Sequence, residues 1–243
     1  MKKYLPPFAV IFTAILWSLD GFIRQNLFSL PSFLIISLEH IIGAIIFLPL
    51  LFKGWQEISS LNQRGWISVL WISICGGILG TFFYTKALSY VNHIDLSVVV
   101  LLQKFQPVFA IALAAVILKE KITSRFFILA AMAIFGGYLV TFGTSSVNSW
   151  DDKTIIAALL ALLAAFSWGS STVLGKHALK RLSFKTVTSL RLTITGAITF
   201  FILLSTDQYE VIEKMTLSNW AYICLLYTSD AADDTPCVDL GGR

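Results

Sequence analysis

Long apolar stretches separated by short polar connections dominate this chain. Seven of them are evident, at residues 7–27, 32–52, 66–90, 96–118, 126–143, 155–179 and 184–205. An α-helix rises about 1.5 Å per residue, so about 20 residues cross the roughly 30 Å of hydrocarbon in a bilayer. Each stretch approaches or exceeds that length, and the pattern predicts an all-α, polytopic membrane helical bundle.

The composition agrees with a protein that lipid surrounds. Charged residues make up 13% of the chain and hydrophobic residues 56%, whereas soluble domains average about 25% and about 45–50%. The net charge of +4 comes from Lys and Arg residues dispersed over short connections, without the patch or stripe that binds nucleic acid. Nucleic acid is therefore not an expected partner.

The basic residues fall almost entirely on alternate connections. They precede the first stretch and follow the second, fourth and sixth: Lys2, Lys3; Lys53, Arg64; Lys119, Lys121, Arg125; Lys176, Lys180, Arg181, Lys185. Short loops rich in Lys and Arg stay in the cytoplasm, so we expect a multi-pass protein of the cell (inner) membrane with a cytoplasmic N-terminus. The first stretch is expected to stay as a helix, because it is too long for a cleaved signal peptide and lacks a small-residue cleavage site.

Two neighbouring segments recur later in the chain. Residues 15–27 (ILWSLDGFIRQNL) can be laid over residues 165–179 (AFSWGSSTVLGKHAL), which matches Trp17 to Trp168. The segment SLEHIIGAIIF from Ser37 resembles SLRLTITGAITF from Ser189, with one inserted residue. Five stretches separate the equivalent elements, and an odd number of crossings reverses orientation. The pattern therefore predicts an inverted repeat of the kind found in secondary transporters.

These motifs, together with FFYTKALSYVNHIDLSVVVLLQKFQPVFAIALAAVILKEKIT at residues 82–123, resemble the EamA-like permeases of the drug/metabolite transporter superfamily. The resemblance covers residues 9–226 and implies ten helices in an inverted repeat of five, with a solute path between the halves. Residues 1–144 would form the first repeat, 145–154 the external linker and 155–226 an incomplete second repeat.

The end of the chain departs from that family pattern. Residues 227–243 (YTSDAADDTPCVDLGGR) turn abruptly acidic and small, where the family would continue an apolar helix. They resemble the translation of a sequencing adapter, so we expect a non-native tail on a C-terminally truncated fragment with about seven to eight of ten helices. A genuine disordered tail is the alternative.

Charged side chains inside the apolar stretches are the first candidates for transport residues. Asp20 and Arg24 lie four residues apart on one helix face, and each costs about 2.5–3.5 kcal/mol near a helix centre. They either line a central cavity, or form a structural ion pair in which Arg24 reaches the external surface. Glu39 and His40 lie in the second stretch and suit proton exchange. The alternative for Glu39 is a salt bridge to another helix, through Lys104 or Arg191.

Lys104 is the strongest single candidate, within LLQKFQPVF beside Gln103 and Pro107. Proline removes one backbone hydrogen bond and tends to kink a helix, and transporters place ligand sites at broken helices. A structural kink with Lys104 paired to Glu39 or Asp20 is the alternative. Separately, Gly76 and Gly80 form a small-xxx-small face that indicates close helix packing.

The expected function is a secondary-type transporter that moves a small metabolite or drug-like solute by alternating access. Lys104 and at least one of Asp20 and Glu39 are expected to face a shared water-accessible cavity. The candidate residues for the substrate pathway are Trp17, Asp20, Arg24, Glu39, His40, Gln103, Lys104, Pro107, Trp168 and Arg191.

Two other classes of protein are considered. A membrane-embedded enzyme acting on lipid or isoprenoid substrates is disfavoured, because no HExxH, GxSxG or DDxxD-like cluster lies within a stretch. A non-transporting membrane scaffold would not need buried charges. No catalytic residue, metal or cofactor is expected. The expected partners are the lipid bilayer, a small-molecule solute, a proton or other coupling ion, and a second copy of the chain in a homodimer.

Overall fold

The described part of the chain is helical throughout. The computed structural model describes residues 5–90, 92–119, 121–142, 151–206 and 208–233, and no strand occurs among them. The helices are α1 (Leu5–Gln25), α2 (Ser32–Lys53), α3 (Trp55–Ser59), α4 (Gln63–Trp71), α5 (Gly80–Leu88), α6 (Leu96–Gln103), α7 (Gln106–Ile117), α8 (Ser124–Phe142), α9 (Asp152–Ala178), α10 (Phe184–Leu204), α11 (Tyr209–Ile212) and α12 (Leu217–Asp233). The predicted all-α membrane fold is confirmed.

Six described segments are long and apolar enough to cross a membrane. They are Ser32–Lys53, Gln63–Leu88, Leu96–Ile117, Ser124–Phe142, Asp152–Ala178 and Phe184–Leu204. These segments coincide with the second to seventh predicted stretches, and the first predicted stretch is also helical, as α1. Large apolar side chains such as Val116 (78% exposed) and Phe201 (69%) lie on the surface, as expected where lipid is the solvent.

Two of these segments are irregular in the middle. Between α4 and α5 the chain forms a π-helix over Ile72–Leu79 (ISICGGIL), which widens the helix and changes its hydrogen bonding. In the next segment α6 ends at Gln103 and α7 begins at Gln106. Pro107 lies in the first turn of α7 and has no N–H to donate to the carbonyl of Gln103. The kink predicted from Pro107 is therefore confirmed as a break between two helices.

The described residues divide into two compact units. The first unit comes from Met1–Ser73 and His177–Arg243, and the second from Ile74–Lys176. The units reflect packing, whereas the predicted repeats at residues 1–144 and 155–226 reflect sequence, so the repeat boundaries stay a prediction. Most of the predicted linker at 145–154 lies outside the described residues, as do residues 234–243 of the predicted tail. Residues 227–233 belong to α12.

The first unit is built on the antiparallel packing of α2 against α10. A Cβ atom on Gly54, which follows α2, would lie 2.5 Å from Thr186 Oγ1 near the start of α10. In the middle of the crossing, a Cβ atom on Gly196 would lie 2.9 Å from the carbonyl oxygen of His40. The absence of a side chain on Gly196 therefore lets the two backbones approach closely.

Two apolar clusters of the first unit occupy equivalent positions in the predicted repeat. One contains Leu27, Leu34, Ile35, Leu38, Leu203, Ile223 and Leu226. The other contains Ile58, Val69, Ile72, Ala178, Leu182, Val187 and Leu190. Leu38 and Leu190 are matched by the SLEHIIG and SLRLTITG segments. When Trp66 is laid over Trp220, Val69 falls on Ile223 and Ile72 on Leu226. The first cluster packs α2 on α12, and the second packs α10 on α4. The pair α10–α4 therefore corresponds to the pair α2–α12, as an inverted repeat would produce.

Candidate functional site

A charged cluster joins α1 to α2 in the first unit, and we define it as Asp20, Arg24 and Glu39. Arg24 Nε donates to Asp20 Oδ2 at 2.8 Å, and Arg24 Nη2 donates to Glu39 Oε1 at 3.0 Å. The three residues are 4%, 3% and 1% exposed. One guanidinium therefore binds two buried carboxylates from different helices, with a formal charge of −1 when all three are ionised.

This geometry bears on two alternatives left open by the sequence. Glu39 pairs with Arg24, a partner not expected from the sequence, whereas its pairing with Lys104 or Arg191 stays a prediction. The alternative in which Arg24 reaches the external surface is wrong, because its side chain is 4% exposed and is held by both carboxylates. The predicted ion pair between Asp20 and Arg24 is confirmed.

Other predicted residues of the first unit lie on α1, α2 and α10. Trp17 is half-buried, one helical turn before Asp20 on α1. His40 is 1% exposed, and its Nδ1 lies 2.9 Å from the carbonyl oxygen of Ile36. Arg191 is 7% exposed on α10, the helix that packs on α2. Among the described residues, no group of three or more His, Cys, Asp or Glu side chains is placed to hold a metal ion.

A neutral polar cluster lies in the second unit, and we call it the amide relay. Gln103 Nε2 donates to Gln106 Oε1 at 3.3 Å, and Gln106 Nε2 donates to Thr172 Oγ1 at 3.4 Å. Thr172 Oγ1 donates in turn to the carbonyl oxygen of Trp168 at 2.9 Å. The relay thus runs from the α6–α7 break to α9.

Trp168 packs against the Gln63–Leu88 segment, at its π-helix and at α5. Its Nε1 donates to the carbonyl oxygen of Gly76 at 2.9 Å, within the π-helix, and its ring lies 5.4 Å from that of Tyr84. A Cβ atom on Gly80 would lie 2.5 Å from Trp168 Nε1. Gly80 therefore makes room for the indole, and the packing predicted from Gly76 and Gly80 is confirmed.

The residues of LLQKFQPVF around the α6–α7 break differ in their burial. Gln103 is 1% exposed, whereas Lys104 and Pro107 are exposed on the surface of the described residues. Sequence reasoning gave Lys104 the greater weight, and it did not single out Tyr84. The signal in the sequence was its spacing, because Tyr84 follows Gly80 by four residues and so lies on the same helix face. The prediction that Lys104 shares a cavity with Asp20 or Glu39 joins residues of both units and stays a prediction.

The long apolar helices and the exposed apolar surface define a multi-pass membrane protein, with polar clusters buried inside it. The model of the EamA-like transporter family matches residues 6–142 and 155–229, so the chain belongs to the EamA-like transporter family. It is a membrane transporter of a small metabolite.

Two relatives carry a more specific name. The chain is 38% identical over 217 residues to the riboflavin transporter ImpX of Fusobacterium nucleatum, across 87% of this chain and 72% of the relative. It is 23% identical over 148 residues to a riboflavin transporter of Brucella anthropi, across 61% and 48% of the two chains. A solved crystal structure shares the fold, with a TM-score of 0.58 and 17% identity, and the match covers 93% of this chain and 77% of that one.

Proposed function

We propose that this chain is a secondary transporter of riboflavin or a closely similar flavin, which it moves across the cell membrane by alternating access. The observation that carries the proposal is the 38% identity to the riboflavin transporter ImpX over 72% of that protein. The predicted pathway residues, from Trp17 and Asp20 to Trp168 and Arg191, are proposed to act in this transport. The N-terminus is proposed to lie in the cytoplasm.

The chemistry of the second unit supports a neutral, flat solute. Riboflavin consists of an uncharged tricyclic ring with an imide edge and a chain of hydroxyl groups. The amide relay offers neutral donors and acceptors, and the half-buried Trp168, which packs on Tyr84, offers an aromatic ring for stacking. A neutral solute needs no buried charge of the protein for its binding.

The charged cluster suits a different part of the transport cycle. Its cation holds two carboxylates from α1 and α2, so a movement of one helix against the other must break or exchange an ion pair. Protonation of either carboxylate would remove one of these pairs, which couples the helix contact to a proton. We therefore propose that the charged cluster is the coupling site and the amide relay part of the solute site.

Uptake into liposomes tests the proposed function. The purified chain in liposomes should take up labelled riboflavin saturably. The riboflavin recovered from the lumen should be chemically unchanged, whereas a membrane enzyme would convert it. Trp168→Phe keeps an aromatic ring but loses the bond to Gly76, so uptake at low riboflavin should fall about fivefold. The matched control is Trp55→Phe, at a tryptophan that is 63% exposed, and it should transport like the wild type.

One result would overturn the proposal. If liposomes that contain the helical, correctly inserted chain take up riboflavin no faster than empty liposomes, the chain does not transport this solute. Uptake of riboflavin in a modified form would instead favour the enzyme alternative.

A further inference from the structure

The direction of the amide relay is fixed at one end by the backbone of α9. The carbonyl oxygen of Trp168 can only accept, so the hydroxyl of Thr172 donates to it and presents its oxygen to Gln106. Gln106 must then turn its NH₂ group toward Thr172 and its carbonyl toward Gln103. Gln103 in turn donates through its NH₂ group. The orientation of both amides follows from this sequence of bonds.

The relay therefore leaves one acceptor at its beginning. Gln103 Oε1 is buried and has no hydrogen-bond partner among the described residues. Turning the amide over would break the hydrogen bond between the two glutamines and point this oxygen at the oxygen of Gln106, which is unfavourable. A buried polar atom without a partner costs about 1–3 kcal/mol, so such an atom calls for an explanation.

We propose that Gln103 Oε1 is the acceptor for an N–H group of the solute, and that it selects the imide N–H of a flavin ring. This inference rests on the proposed function. The isoalloxazine ring carries one N–H group, flanked by two carbonyls, on its imide edge. An acceptor whose direction is fixed by three successive hydrogen bonds discriminates between a ring with this N–H and one without it, because only the former replaces the lost hydration.

The position of Gln103 in the fold agrees with a role in a moving site. It is the last residue of α6, directly before the break to α7, and Pro107 leaves its backbone carbonyl without an α-helical partner. Its burial keeps the acceptor away from bulk water in this conformation. Bending at the break, with the hydrogen bond between Gln103 and Gln106 kept, would open the side-chain oxygen to a solute, as alternating access requires.

Equilibrium binding of two flavins tests the inference. The ligands are riboflavin and its 3-methyl analogue, in which a methyl group replaces the hydrogen of the imide N–H. Binding to the full chain in lipid nanodiscs is measured by quenching of ligand fluorescence. The wild type should bind the analogue roughly 10- to 100-fold more weakly than riboflavin. In Gln103→Met the acceptor is lost and the ratio of the two dissociation constants should fall to about 1 to 3.

Controls separate the possible failures. Gln56→Met makes the same change at an exposed glutamine of α3 and should keep the wild-type ratio. Gln103→Asn, which draws the carbonyl back from the solute, replaces Gln103→Met if the latter does not fold, and should also lose discrimination. Equal binding of both flavins by the wild type, or an unchanged ratio in the Gln103 variants, would overturn this inference and leave the proposed function standing. Binding of neither flavin by the folded wild type would overturn the proposed function as well.

Discussion

Arg24 joins α1 to α2 through ion pairs to Asp20 and Glu39. Two carboxylates share its guanidinium, and all three side chains are almost completely buried. The interaction of such groups is strong in a low dielectric, but so is the cost of taking each of them out of water. The net contribution of the cluster to stability is therefore modest, whereas the cost of removing only its cation is large.

We predict that Arg24→Met destabilises the folded chain by about 3–5 kcal/mol, because it removes a guanidinium that binds two buried carboxylates. Adding Asp20→Asn and Glu39→Gln to the same chain should restore most of the loss. The measurement is the apparent melting temperature of the detergent-purified protein. Arg64→Met, at an exposed arginine of α4, is the control and should change little. Equal melting temperatures for Arg24→Met and Arg64→Met would contradict the prediction.

The residues of this site were only partly predictable from sequence. Asp20 and Arg24 are neighbours on one helix, so their spacing was sufficient. Glu39 pairs with a residue on another helix, and an apolar pattern that is continuous around a membrane helix does not show which face turns inward. For the same reason hydropathy could not choose between Gln103 and Lys104, whose side chains point about 100° apart.

Glu57 provides a pH-dependent contact at the start of α10. Its Oε2 accepts the backbone N–H of Ser183 at 2.6 Å, and this bond lowers the pKa of the carboxyl below its ordinary value of 4.5. The ionised form is thus favoured in the folded chain. Its contribution to stability is fully present above pH 4.5 and is lost as the pH falls through the lowered pKa.

We therefore expect the wild type to lose more stability than Glu57→Gln when the pH falls from about 5 to about 3. Melting temperatures of both proteins at several pH values in this range measure the difference. Glu213→Gln, at an exposed carboxylate outside this contact, serves as the control and should follow the wild type. Parallel curves for wild type and Glu57→Gln would show that the bond to Ser183 contributes nothing in solution.

At the scale of the helices, glycines decide how closely the backbones approach. Gly196 lies against the backbone of α2, where a Cβ atom would be 2.9 Å from the carbonyl oxygen of His40 and 3.0 Å from Cβ of Ala44. Neither neighbour is the flexible end of a side chain, so both helices would have to move apart. Gly136 on α8 is the opposite case, because nothing lies within 4 Å of its added Cβ atom.

This pair gives a matched prediction. Gly196→Ala should destabilise the chain by about 1–3 kcal/mol through overpacking. Gly136→Ala should be neutral or stabilise by up to about 1 kcal/mol, because alanine is the better helix former. Melting temperatures in the same detergent compare the two variants. A similar effect of both substitutions would mean that the α2–α10 crossing is not tightly packed in the protein in solution.

The helical elements themselves were largely predictable. Hydropathy gave six spanning segments to within a few residues, since the thickness of the bilayer sets their length. Pro107 predicted the break between α6 and α7. The π-helix at Ile72–Leu79 was not predicted, because paired glycines indicate close packing as readily as a change of hydrogen bonding.

At the scale of the whole molecule, contacts between connections indicate which of them lie on the same side of the membrane. Within the first unit, the connections that follow α2 and α9 meet, since Glu57 binds Ser183 and Arg181 donates to the carbonyl of Ser60. Within the second unit, the connections that follow α5 and α8 meet, since His93 Nδ1 lies 2.8 Å from Asp151 Oδ2. Connections that touch share a side of the membrane. Both pairings agree with the alternation that the basic residues predict.

The last prediction is therefore the orientation of the chain in the cell membrane. In a background without Cys75, Cys224 and Cys237, a thiol reagent that cannot cross the membrane should label Asn92→Cys in intact cells. Ser60→Cys and Ser124→Cys lie on connections rich in Lys and Arg, and should react only after the cells are permeabilised. Full labelling of all three after permeabilisation confirms that the thiols are accessible. Labelling of Ser124→Cys in intact cells, with protection of Asn92→Cys, would reverse the proposed orientation, because the two connections are separated by a single spanning segment, Leu96–Ile117.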